Sequence, residues 1–71
     1  MALPDLFARN LRATRARKHL SQQRLADKAG LSVSYISMLE RGERLAPLET
    51  IDVLARALGV RALSLLETTK R

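Results

Sequence analysis

The chain has 71 residues, no Cys and a single His, so it makes one domain near the lower size at which a single core holds a fold, with no disulfide or thiolate metal site to staple it. No N-terminal apolar run of signal-peptide type occurs and no stretch approaches the ~20 apolar residues of a membrane span, which points to a soluble intracellular protein with no membrane partner. Thirteen Lys and Arg stand against seven Asp and Glu, a net charge of +6, and residues 1–30 hold seven of the basic side chains and two of the acidic ones, a bias that suits either a polyanionic partner or a solvated surface.

Apolar residues recur at spacings of three and four while alternating or β-branched runs are missing, so the expected class is all-α. A first helix places Leu6, Phe7, Leu11 and Thr14 on one face, with Asp5 in its first turn and Arg15 to Lys18 in its last, charges that suit the helix dipole. Ser21 stands at the N-cap of a second helix, "QQRLADKA", whose inward residues are Leu25, Ala26 and Ala29, and Gly30 can take the left-handed conformation that ends it. Ser32 caps a third, with Ile36 and Leu39 inward and Gly42 as its stop. Pro47 suits the start of a fourth, "PLETIDVLARAL", with Leu48, Ile51, Leu54, Ala55 and Leu58 inward and Gly59 beyond its end. A fifth short helix, "RALSLLE", presents Leu63, Leu65 and Leu66, of which Leu63 and Leu66 are expected to finish the core with Val60. Residues 1–71 thus form one domain of five helices with no linker or repeat, and only Thr68 to Arg71 read as a frayed tail.

Two features single out the second and third helices. Only Gly30 and Leu31 separate Ala29 from the Ser32 cap, and so tight a turn sets two helices at a steep angle, with the small Ala26 allowing close approach. The third helix also carries Ser34 and Ser37 where a solvated face would hold Lys, Glu or Gln, with Val33, Tyr35 and Met38 beside them. Ser is a mediocre helix former, so a face of small hydroxyls asks for another reason.

The ordered set Gln22, Leu25-Ala26, Gly30, Ser32, Ile36, Glu40-Arg41-Gly42 and Ala57-Leu58-Gly59 resembles the Cro/phage-repressor, or XRE-type, helix-turn-helix family, which includes restriction–modification controller proteins. The resemblance runs from about Leu11 to Leu66, with the helix-turn-helix unit at about 21–42. It implies a compact, lambda-repressor-like fold whose third helix lies in the major groove of double-stranded operator DNA. Short side chains would let that helix sit deep. Ser34 and Ser37 can then donate to or accept from several base edges, and Val33 can meet a thymine methyl or instead pack on the second helix. Tyr35 and Met38 join them as candidate base readers, Tyr35 being equally suited to a phosphate or to packing on the first helix.

Phosphate contacts are expected from Gln22 and Ser32 at helix starts and from Arg41 and Arg44 just past the third helix. Arg17 is a weaker candidate, as are Arg12, Lys18 and Arg24, each equally readable as plain surface charge. Arg15 matches the first-helix Arg that in the family pairs with the Glu here at position 40, so Arg15 and Glu40 are expected to be a structural ion pair. An enzyme is not expected: His19 has no Cys or second His with which to build a site, the carboxylates are scattered, and no Gly-rich phosphate loop occurs. No cofactor is implied. A single small module covers only ~600–1,000 Å² of protein surface on DNA, so a homodimer is expected, with Ala62, Leu65 and Leu45 as its contact. The expected role is a cytoplasmic, nucleoid-associated transcriptional regulator of bacterial or phage origin. The alternative is an antitoxin using the same domain, and a toxin or RNA polymerase contact stays open.

Overall fold

Helix α1 (Leu3–Arg17) begins on an extended Ala2, with Pro4 and Asp5 in its first turn, where a missing amide is harmless and a carboxylate meets the positive end of the dipole. The computed structural model describes residues 2–68. Its stripe of Leu6, Phe7, Leu11 and Thr14 is buried as expected, and Asn10 is buried among them. His19, at φ 59°, turns the chain between α1 and α2.

Helix α2 (Gln22–Ala29) starts where Ser21 accepts a hydrogen bond from the Arg24 amide at 3.0 Å and ends on Gly30 at φ 71°. A Cβ on Gly30 would meet nothing within 4 Å, so the left-handed backbone alone explains glycine there. Helix α3 (Val33–Glu40) repeats the device, its Ser32 cap accepting from the Tyr35 amide at 3.0 Å. The chain then passes against α1 at Gly42, φ 75°, where an added Cβ would stand 2.9 Å from Asp5 Oδ1.

Helix α4 (Leu48–Leu58) begins on an extended Pro47 and buries Ile51, Leu54, Ala55 and Leu58. Leu48, expected inward, is instead 77% exposed. Helical side chains lean toward the N-terminus and cover the turn before them, and before Leu48 there is only the extended Pro47. Ala46 and Leu45 fill the neighbouring core space instead.

The last segment is a 3-10 helix, η1 (Ala62–Leu66), so the described residues form four α-helices and one 3-10 helix rather than five α-helices. The difference changes which leucine is inside. Leu65, expected at a dimer contact, is fully buried, whereas Leu63, expected in the core, is 60% exposed. Three residues per turn stack Leu65 on the line of Ala62. Asn10 fixes the register, its Nδ2 donating to the Leu65 carbonyl at 2.9 Å and to the Glu67 carbonyl at 2.8 Å. The expected frayed tail lies, apart from Thr68, outside the described residues. Phe7, Leu11, Leu25, Ile36, Leu39, Ile51, Leu54 and Leu65 form the centre of the core, to which every helix contributes. No helix of the described residues is long and apolar enough to cross a membrane.

Candidate nucleic-acid interface

The inward residues of α3 are Ile36, Leu39 and Glu40. Stepping about 100° per residue, the opposite side of the helix carries Ser34, Ser37, Met38 and, just beyond the last turn, Arg41. Ser34 and Arg41 are exposed while Ser37 and Met38 are half-buried. Val33 and Tyr35 stand at the two margins of this face, half-buried and packed against the core. The packing alternative therefore accounts for part of the Val33 and Tyr35 surfaces, and only the remainder faces outward.

What holds this helix is a polar anchor at its C-terminal end. Glu40 is 5% exposed, and Arg15 clamps it from α1 through Nε to Oε2 at 2.7 Å and Nη2 to Oε1 at 3.0 Å. A two-pronged guanidinium–carboxylate pair fixes orientation as well as charge. The Glu40 hydrogen bond holds the Arg15 pKa above its ordinary value, against the opposing effect of burial. The third guanidinium nitrogen, Nη1, donates to the Leu20 carbonyl at 2.8 Å, which ties the turn before α2 to the same pair. Gln22 adds a bond from α2, Nε2 to Glu40 Oε1 at 2.9 Å, and Arg12 donates to the Glu40 backbone carbonyl. Three helices thus meet on one carboxylate.

This arrangement redistributes the expected phosphate contacts. Gln22 is half-buried and its amide nitrogen faces Glu40, so its first partner is structural. Ser32, the cap of α3, and Arg44, four residues past its last, are exposed. Arg41 is exposed and held by Glu43 Oε2, 2.6 Å from its Nε, and by Ser37 Oγ, 3.0 Å from its Nη1. Arg17 is not brought to α3. It lines a cavity of about 330 Å³ between α1 and η1 with Asn10, Ala13, Thr14, Ser64, Glu67 and Thr68.

Three contributors were hidden from sequence reasoning. Asn10 occupies a position of the inward stripe, three after Phe7 and four before Thr14, and a polar residue there was the only available signal. Arg12 stood among indistinguishable surface cations. Glu43 had no signal beyond its place two residues after Arg41.

The fold and this geometry agree with what the chain is similar to. A helix-turn-helix family model matches residues 11–65. Control protein C.SmaI of Serratia marcescens is 41% identical over 58 residues, 82% of this chain and 69% of that protein. Control protein C.BamHI of Bacillus amyloliquefaciens is 40% identical over 65 residues, 90% of this chain and 80% of that protein. Among solved structures, the restriction-modification controller protein C.AhdI from Aeromonas hydrophila superposes with a TM-score of 0.84 at 40% identity, over 87% of this chain and 94% of that one. These relatives are regulators rather than enzymes. With the match spanning the second half of α1 through η1, the chain belongs to the XRE-type helix-turn-helix family of DNA-binding transcriptional regulators.

Proposed function

We propose that this regulator binds a twofold operator as a homodimer, with α3 of each subunit in the major groove, and that it serves as a control protein of restriction–modification genes. The observation that carries the groove reading is the outer face of α3, where short Ser34 and Ser37, Met38 and the cationic Arg41 stand together while the helix's one carboxylate, Glu40, is turned inward and neutralised. Short side chains bring the backbone near the bases, and the missing negative charge avoids repulsion from phosphates. Val33, Ser34, Ser37, Tyr35 and Met38 are the base-facing residues in this reading. Arg41, Arg44, the Ser32 hydroxyl and the second amide hydrogen of Gln22 hold phosphates around them. The similarity to control proteins C.SmaI and C.BamHI favours the regulator role over the antitoxin alternative.

The two kinds of contact separate in one experiment. Binding is titrated on a duplex selected by the protein and on its single-base variants, at several salt concentrations. Val33→Ala and Ser34→Ala should change the order of preference among variants, at about 1–3 kcal/mol for a good contact, with the salt slope nearly constant. Arg44→Ala should weaken binding to all variants alike and lower the slope of log affinity against log salt by about 1. Equal losses on every variant for Val33→Ala and Ser34→Ala would mean that this face does not read bases.

A further inference from the structure

Arg41 is held at both ends of its guanidinium although it lies at the surface. Its Nε donates to Glu43 Oε2 at 2.6 Å and its Nη1 to Ser37 Oγ at 3.0 Å. The Arg41 and Glu43 side chains are 57% and 51% exposed, and neither belongs to the Glu40 anchor or the core. The clasp is therefore not needed to complete the fold. What it does is restrict a long side chain that would otherwise sample many rotamers, and lay its cation along α3 one turn back, over Ser37.

The chemical consequence falls on Ser37. A serine hydroxyl has one hydrogen to donate and two lone pairs to accept with, and its hydrogen swings to suit the partner. When the guanidinium donates into one lone pair, that lone pair is closed to a base and the adjacent positive charge disfavours a second donor at the oxygen, which leaves the hydroxyl hydrogen as the group Ser37 can offer. Ser37 then meets the groove as a donor. In the major groove guanine O6 and N7, adenine N7 and thymine O4 accept, whereas cytosine N4 can only donate. A hydroxyl fixed as a donor disfavours cytosine.

We propose that Glu43 is a specificity-determining positioning residue: by holding Arg41 against Ser37 it fixes the Ser37 hydroxyl as a hydrogen-bond donor, so that α3 disfavours cytosine at the base facing Ser37. This rests on the reading that α3 enters the major groove. The bond from Arg41 also holds the Glu43 carboxyl below its ordinary pKa. The same bond neutralises a carboxylate that would otherwise stand bare near the phosphates.

The test is selection from a random duplex library by the full chain, followed by affinities for single-base variants of the selected site. Ser37→Ala identifies the base pair that Ser37 faces, as the position at which its preference relaxes. Glu43→Ala is expected to relax the discrimination against cytosine at that same position by about two- to tenfold, the worth of one neutral hydrogen bond, and to leave other positions unchanged. Loss of a negative charge alone would tighten binding to every sequence and move no single position. Should Glu43→Ala fail to fold, Arg41→Ala breaks the clasp from its other end and is expected to relax the same position. Wild-type preference retained in the clasp variants, or a wild-type preference for cytosine at the position Ser37→Ala relaxes, overturns the proposal. So does a Ser37→Ala variant that relaxes no position, even where Val33→Ala or Ser34→Ala does and the groove reading stands. A wild-type chain that enriches no site at all sinks the groove reading itself, and this inference with it.

Discussion

Glu40 sits at the C-terminal end of α3, where the helix dipole disfavours a carboxylate, and it is buried there. Such a group persists only if its charge and lone pairs are met. Arg15 meets both oxygens, Gln22 shares one of them, and Arg12 takes the backbone carbonyl. Arg15→Ala leaves the carboxylate with Gln22 alone. The expected loss is about 3–5 kcal/mol, seen as a fall in Tm of more than about 10 °C for a domain this small. Arg15→Lys should recover only part of it, since an ammonium cannot supply the paired prongs. An unchanged thermal melt of Arg15→Ala, followed by circular dichroism, would remove the structural role. The Arg15–Glu40 pair was legible in the sequence only through the family resemblance, because periodicity gives no partner to a lone Arg twenty-five positions away. The share taken by Gln22 was not legible at all. A Gln at a helix start suits a phosphate or a carboxylate equally, and only the burial of Glu40 decides which it meets first.

At the scale of elements, the caps were the most readable part. Ser21, Ser32, Gly30 and Gly59 each do in the structure what local backbone chemistry requires of them, because capping depends on residues within one turn. The last segment was not readable in the same way. Leu63, Leu65 and Leu66 within "RALSLLE" fit an α-helix or a 3-10 helix, and the two place different leucines inward. What selects between them is Asn10, which is 55 residues from Leu65 in sequence and donates to its carbonyl. Leu65→Ala should accordingly destabilise the fold by about 2–5 kcal/mol, as expected for a fully buried leucine. Asn10→Ala should cost about 1–3 kcal/mol by leaving its carbonyl partners unmet. Chemical denaturation of both variants checks this. A Leu65→Ala midpoint equal to that of the wild type would return Leu65 to the surface and revive the α-helical register.

For the molecule as a whole, the register of η1 decides what is left for a second subunit. Leu65 is sealed in the core, so the proposed twofold contact is expected to use Leu63, the most exposed apolar side chain of η1, with the half-buried Ala62 and Leu45. A domain that covers only ~600–1,000 Å² of protein surface on DNA gains discrimination chiefly by pairing two such surfaces on two half-sites. Leu63→Glu places like charges opposite each other across a twofold contact and removes its apolar area. The fold should survive, because Leu63 takes no part in the core. Sedimentation should show the wild type as a dimer and Leu63→Glu as a monomer with an unchanged thermal melt. On a duplex carrying two half-sites the variant should bind about 10²–10⁴-fold more weakly, the factor that linking two sites contributes, while on a single half-site the two proteins should bind alike. A wild type that sediments as a monomer well above its DNA-binding midpoint would refute the dimer. A variant that stays dimeric would instead move the contact away from η1, toward the exposed Leu48 and Val53 of α4 or Leu3 of α1.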